Sequence, residues 1–234
     1  MVLLDYSLTQ LEQAQHRLGN SHQFVFVAAD IYRLPFRDRI FDAATMIRTL
    51  HHMADAPRAL ERVRKALCPG AVFILEYANK KNLKSIFRYW LCRQEWNPFS
   101  LDAVEFVELN FDFHPRAVRT WLEELGFSVE KVRTVSHFRI NLLKRLFPPQ
   151  VLAALDGLFQ PTGALVQFTP SVFLRARLKS TASPQEYPRS AMDLFACPDC
   201  SSKDLVDGGD HLICKGCSAH WIFRNGVYDF RLKK

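Results

Sequence analysis

Nine glycines are few for 234 residues, and they build no glycine-rich loop. Gly19, Gly70, Gly126, Gly157 and Gly163 stand alone, and Gly208-Gly209 is a pair near the C-terminal end. Clustered glycines after a strand are what let backbone amides close around a phosphate or nucleotide, so the chain carries no cradle of that kind. No apolar run approaches the eighteen or so residues that cross a bilayer. Phe24 to Ala29 and Ala71 to Leu75 are strand-length, which excludes a transmembrane span. The start, Met1-Val2-Leu3-Leu4-Asp5, lacks the basic region, apolar stretch and cleavage site of a secretory signal. Six cysteines, four of them in two Cys-x-x-Cys pairs, suit metal binding in a reducing compartment better than a disulfide framework. The expected location is cytoplasmic.

What is present is an ordinary globular composition, 48% apolar, sufficient for one large domain and one small one. The net charge of +7 would favour anionic partners such as RNA or a lipid surface. The basic residues are scattered in short groups, however, and read as solvated faces. Val2 to Leu4 reads as a strand, Ser7 as the cap of a helix over Leu8 to Leu18, and Gly19-Asn20 as its stop. Strands follow at Phe24 to Ala28, Phe41 to Ile47 and Ala71 to Glu76, with a helix over Pro57 to Leu67 closed by a Cys68-Pro69-Gly70 turn. Asn82 to Trp96 is apolar at helical spacing and reads as an amphipathic cover helix. His114-Pro115 opens another helix, ended by Gly126. Phe127 to Val135 supplies a strand, and Ser171 to Leu178 can return antiparallel beside it. Asn141 to Phe168 is an apolar insertion broken by Pro148-Pro149. Strands alternating with helices predict an α/β, doubly wound, mostly parallel sheet.

In such sheets ligands bind beyond the carboxyl ends of strands. Asp5 and Asp30 both end strands, where each serves equally well as a turn residue or as an acceptor for a nucleoside. Taken in order, Leu3-Leu4-Asp5-Tyr6-Ser7, Ala29-Asp30, Leu34-Pro35-Phe36-Arg37-Asp38, Phe41-Asp42-Ala43, Leu50-His51-His52-Met53-Ala54-Asp55 and Leu67-Cys68-Pro69-Gly70-Ala71 resemble class I S-adenosylmethionine-dependent methyltransferases. The resemblance is to the ubiquinone/menaquinone-biosynthesis type and covers roughly residues 2 to 178. It implies a Rossmann-like fold with S-adenosylmethionine as methyl donor. Asp5 then matches the ribose-binding acid with Tyr6 beside the adenine, and Asp30 and Ile31 match the adenine-binding pair. Arg48 falls where the chain passes the methionine part. His51 and His52 match the segment facing the methyl acceptor, where an imidazole can act as general base or serve as a structural histidine at a strand-to-helix junction. Glu76 and Tyr77 end the next strand on the same side.

The family's first strand and its glycine turn have no counterpart here, so the chain begins in mid-fold. The missing strand belongs between the Val2 and Phe41 strands. Its loss should leave backbone groups on both neighbours unpaired. About 30 to 50 further residues would supply strand, loop and helix.

Near the other end, Cys197-x2-Cys200-x13-Cys214-x2-Cys217 has the spacing of a structural zinc ribbon, two knuckles around a hairpin tip at Asp207-Gly208-Gly209-Asp210. With Trp221 and the Gly226 turn, it resembles the small zinc-binding family that includes the activator subunit of tRNA and protein methyltransferases. The expected division is a methyltransferase-like domain over 1–179, incomplete at its N-terminus, a linker over 180–194 and a zinc ribbon over 195–234. The expected activity is methyl transfer to a small, hydrophobic acceptor. The alternatives are a catalytically impaired interaction protein, whose ribbon docks on a partner methyltransferase or RNA, and an RNA methyltransferase. Self-association through the ribbon is a further expectation.

Overall fold

The computed structural model describes residues 1–19, 23–138, 141–179, 188 and 190–233. In chain order its elements begin with β1 (Val2–Asp5), α1 (Leu8–Leu18), β2 (Val25–Ala28), β3 (Phe41–Met46), α2 (Ala56–Ala66), β4 (Leu67–Ala78) and α3 (Leu83–Trp90). They continue with β5 (Val104–Val107), β6 (Asn110–Asp112), α4 (Pro115–Glu124), β7 (Phe127–Val135), α5 (Asn141–Leu146), α6 (Pro149–Phe159) and β8 (Ser171–Leu178). Four strands close the chain: β9 (Leu205–Asp207), β10 (His211–Cys214), β11 (His220–Arg224) and β12 (Val227–Lys233). These elements form two compact units, one of Met1–Phe41, Glu61–Cys68 and Ser183–Lys234, the other of Asp42–Leu60 and Pro69–Ala182.

The first unit is built on one six-stranded sheet in the order β1-β2-β12-β11-β10-β9. β1 and β2 run parallel, in register from Val2 opposite Val25 to Asp5 opposite Ala28. The intervening α1 starts where the Ser7 hydroxyl accepts the Gln10 amide and ends where the Gly19 amide donates to Gln15. Gly19 sits at φ 74, a conformation glycine adopts without a Cβ penalty. On its other edge β2 receives β12, also parallel, with Val227 opposite Phe26 and Asp229 opposite Ala28. Side chains alternate across β2. Phe26 and Ala28 pack with Leu11 of α1 and Val227. Val27 and Ala29 pack into a second cluster with Phe195, Leu212, Trp221 and Phe230. Phe195 is its fully buried hub, with ring centroids 4.8 Å from Tyr228 and 5.1 Å from Phe230. Backbone bonds fasten the same region: Arg37 donates to Leu194 at 2.9 Å and Ala196 to Pro35 at 3.0 Å. Most of the expected linker, residues 180–187 and 189, lies outside the described residues, as does Asn20.

The second unit holds a four-stranded sheet in the order β3-β4-β8-β7. β8 runs antiparallel to both neighbours, as the alternation of Ser171 to Leu178 predicts, with Leu174 opposite Leu75 and Val132. The sheets are therefore mixed, because β8 and the terminal hairpins return antiparallel, while the Rossmann-like α/β class stands. β1 and β3, the expected neighbours of the missing strand, are each the last strand of their sheet among the described residues. Asp42, Ala43 and Thr45 of β3 are accordingly exposed.

Three local expectations change. No turn separates α2 from the next strand; β4 starts at Leu67 and runs through Gly70, at φ 82, to Ala78. The Gly70 carbonyl accepts from Arg177 at 3.0 Å. The cover helix stops at Trp90, because Cys92 turns left-handed at φ 53 while the Leu91 amide donates back to Phe87. Its apolar stripe covers little, for only Ser85 and Ile86 are buried. Finally, the alternating Val104-Glu105-Phe106-Val107 forms an unanticipated hairpin with β6.

α4 starts as the sequence implies, with Pro115 in its first turn and the His114 ring Nδ1 accepting the Arg116 amide at 3.1 Å. Burial, reinforced by Lys81, Lys80 and Arg116, pushes the His114 pKa down to about 4. The unfolded chain takes up this proton near pH 6.5 and the folded chain near 4, so the stability carried by the neutral ring is full above about 6.5 and is lost as pH falls towards 4. Asn is a cap without a titrating group. His114→Asn should flatten that loss in denaturation curves taken across this window, and an unchanged slope would refute the assignment.

Candidate functional site

In the first unit, Asp5 and Asp30 follow adjacent parallel strands, β1 and β2. One oxygen of each serves its own turn: Asp5 accepts the Ser7 amide at 2.8 Å and Asp30 the Tyr32 amide at 2.9 Å. The second oxygen of each has no hydrogen-bond partner among the described residues and can accept from a ligand. Ile31 is half-buried beside Asp30 and Tyr6 is exposed beside Asp5.

Tyr6 has a partner the sequence did not suggest. Arg231 of β12 donates to the Tyr6 carbonyl at 2.9 Å and lays its guanidinium 5.5 Å from the Tyr6 ring centroid. Asp229 orients that guanidinium through two bonds, Nε to Oδ1 at 2.9 Å and Nη2 to Oδ2 at 2.8 Å. This planar fork is specific to arginine. The contact joins residues 225 apart in sequence. In the sequence Arg231 reads only as one of the scattered basic residues.

Cys197, Cys200, Cys214 and Cys217 converge so that all four sulfurs lie within 4.8 Å of one another. The separations Cys197–Cys217 and Cys200–Cys214 are 3.7 and 3.5 Å. A tetrahedral ion bound at about 2.3 Å to each sulfur requires separations of about 3.8 Å, so the donor set fits such an ion. Each knuckle closes on a backbone bond, Ser201 to Cys197 and Ser218 to Cys214, both 2.8 Å. A Cβ at Gly216 would lie 2.9 Å from Ser202 Cβ, which requires glycine there.

The remaining sequence-predicted residues belong to the second unit. Arg48 follows β3 in a left-handed conformation, φ 56, with its amide donating to Glu76 Oε2 at 2.8 Å. The Ser171 hydroxyl donates to the other Glu76 oxygen. Glu76, nearly buried, therefore pins the end of β3 to the start of β8. His51 and His52 come together with ring centroids 4.0 Å apart. His52 Nδ1 lies 3.1 Å from the Leu109 carbonyl and donates to it as the Nδ1–H tautomer. Burial lowers the His51 pKa, helped by His52 and Arg48 against the opposing Glu76 charge. His51 is thus neutral at pH 7 and able to accept a proton.

A further histidine of this unit was missed. His137, two residues past β7, has its Nδ1 at 2.9 Å from Asp156 Oδ1 and its Nε2 at 3.1 Å from Thr134 Oγ1. Burial works to raise the Asp156 pKa, but the amide and ring of His137 and the Ser136 amide hold it below the usual value. The ring lines a cavity of about 1340 Å³ walled by Leu83, Phe87, Phe159, Val166 and Phe168. Asp112 opens into the same cavity, and burial raises its pKa to about 6 against the opposing charge of Lys80. The signal in the sequence is Asp156 itself, the lone acid between Glu130 and Glu186.

Residues 1–75 match the family model described as a methyltransferase domain. The chain is 37% identical over 83 residues to a 2-phytyl-1,4-naphtoquinone methyltransferase of Nostoc punctiforme, covering 34% of this chain and 36% of that protein. It is 34% identical over 140 residues to a demethylmenaquinone methyltransferase of Thermotoga maritima, covering 54% of this chain and 58% of that protein. The chain thus spans about a third to three-fifths of the length of these relatives. Among solved structures, the complex between the Haloferax volcanii Trm112 methyltransferase activator and a methyltransferase is similar with a TM-score of 0.50 and 16% identity, over 77% of this chain and 72% of that chain. These similarities agree with the Rossmann-like methyltransferase fold built up above.

Arg231→Ala should release the Tyr6 backbone and cost about 2 kcal/mol, the order expected for hydrogen bonds to a charged group. The check is faster amide hydrogen exchange around residues 5 to 8, which Arg231→Lys should not restore to the original rate. Unchanged exchange would show that the guanidinium does not hold the loop.

Proposed function

We propose that the chain transfers a methyl group from S-adenosylmethionine to a small hydrophobic acceptor with an ionisable hydroxyl, of the quinol class, and that its four C-terminal cysteines hold a structural zinc ion. The observation that carries the reading is that the segment matching a methyltransferase domain places Asp5 and Asp30 on neighbouring strand ends, each with a carboxylate oxygen to spare. The two named relatives are quinone methyltransferases, which supports the acceptor class.

When bound, the sulfonium cofactor supplies an activated methyl group. The chain's own residues would supply the rest. Asp5 would accept from the ribose hydroxyls with Tyr6 beside the adenine, Asp30 would accept from the adenine amino group, and Ile31 would pack on the ring. Arg48 would serve the methionine part. His51, neutral at pH 7, takes the proton of the acceptor hydroxyl, with His52 as the second candidate base. Most of the rate would come from holding both reactants in attack geometry. The residues present fit the nucleoside end of the cofactor. The glycine turn for its amino-acid end is absent from the 234 residues, so binding is the first quantity to measure. The alternative is an interaction protein that does not bind the cofactor. Among the described residues no helix is long and apolar enough to cross a membrane, and the proposed setting is cytoplasmic.

Calorimetric titration with S-adenosylmethionine should give saturable heat that Asp5→Ala weakens at least about tenfold. His51→Gln should leave that binding intact while lowering turnover of a naphthoquinol by about 100-fold. No heat from well-folded protein would sink the enzyme reading in favour of the interaction protein.

Metal analysis should find one zinc per chain. Chelation, or Cys214→Ser, should unfold the β9–β12 region, because metal binding supplies much of the folding energy of so small a module. The check is loss of near-ultraviolet dichroism from Trp221, and a metal-free protein with an unchanged spectrum would refute the site.

A further inference from the structure

The second unit exposes far more apolar surface than its size explains. Among the described residues, every exposed large hydrophobic side chain except Met1, Tyr6, Leu18 and Ile47 lies between residues 83 and 168. α3 alone presents Leu83, Phe87 and Trp90, followed by Leu91, each at least half exposed. In the α5–α6 segment and the turn after it, Leu146, Leu158 and Leu165 are 64, 72 and 87% exposed. Part of this apolar surface shares one mouth. Leu83, Phe87 and Leu91 from the α3 side, and Phe159, Val166 and Phe168 from the α6–β8 side, line the same cavity. Apolar surface gathered this way marks an interaction site.

The charge among its lining residues is mostly positive. Lys84, Arg88, Arg93 and Lys144 line the same mouth, and Asp112 is the one acid among its lining residues. Residues 79–94 contain no acid, and neither do residues 131–155. A short helix with Leu, Phe and Trp on one side and Lys and Arg beside them is the pattern of a segment lying in the plane of a lipid interface. There the rings enter the acyl boundary while the cationic heads reach the phosphates. Two copies of this face would oppose like charges, and nucleic acid would leave the aliphatic side chains in water.

We propose that the face formed by α3 and the α5–α6–β8 segment docks on an anionic lipid surface, with the cavity opening towards the bilayer. This inference stands apart from the proposed activity, because docking can hold where methyl transfer fails and the reverse.

The test uses the full chain with phosphatidylcholine vesicles, with and without about 30% phosphatidylglycerol. Sedimentation with the anionic vesicles alone, weakened at least about tenfold on raising salt from about 0.1 to 0.5 M, supports docking. Trp90 emission should shift to the blue on binding, and Trp90→Phe should remove that shift. Phe87→Ser with Trp90→Ser, and separately Lys84→Glu with Arg88→Glu, should each weaken sedimentation at least about tenfold. All four positions lie on the outer face of α3, and unchanged near-ultraviolet dichroism verifies the fold. Absence of binding to anionic vesicles overturns the proposal, as does binding indifferent to both double substitutions. A dimer in light scattering that the Phe87/Trp90 substitutions dissolve also overturns it, since the face would then be covered by a second copy.

Discussion

The parallel pairing of β12 with β2 is the constraint on which the first unit depends. It gives one edge of β2 a hydrogen-bonding partner, and it brings the aromatic side chains of the terminal hairpins over Val27 and Ala29. Without it, β2 would present an open edge of backbone donors and acceptors, and Phe195, Trp221 and Phe230 would lose Val27 and Ala29 as packing partners. The cysteine knuckles thus hold more than themselves. They shape the hairpins that deliver β12, and β12 delivers Arg231 to the loop after β1. The Asn225-Gly226 turn secures the same junction: the Gln15 side chain donates to the Asn225 carbonyl at 2.8 Å, and a Cβ at Gly226 would come within 2.7 Å of that side chain.

The second unit obeys a different constraint. Its strand ends are tied by buried polar side chains. Glu76 joins β3 to β8 through the Arg48 amide and the Ser171 hydroxyl. Asn79, also buried, donates to the Gln167 and Thr169 carbonyls, and Lys80 donates to Ser100 and to the Asp102 carbonyl. Buried polar groups of this kind are costly unless fully bonded.

Local chemistry made much of this legible in the sequence. Ser7 and His114 announce helix starts through their capping atoms, and Ser171 to Leu178 announces a half-buried strand through its alternation. The four cysteines announce a common centre through spacing alone. What stayed hidden depends on distant pairing. Nothing in Arg231 points to Tyr6, and nothing in His137 points to Asp156 except that acid's isolation in an apolar stretch. The α3 stripe misled because helical periodicity reports that one face is apolar and does not report what lies against it. β1 and β3, each the last strand of its sheet among the described residues, were recognised because an edge position changes a strand's exposure and not its residue pattern.

The joining of β2 to β12 also sets a timetable. On a ribosome adding about 5 to 20 residues each second, the strand at Val25–Ala28 emerges roughly 10 to 40 s before the one that covers it. The strand end that carries Asp30 is therefore made well before the strand that completes its pairing. For that interval an apolar β-edge stands open to other chains, which makes the nascent protein a client for chaperones and makes its assembly sensitive to the pace of translation.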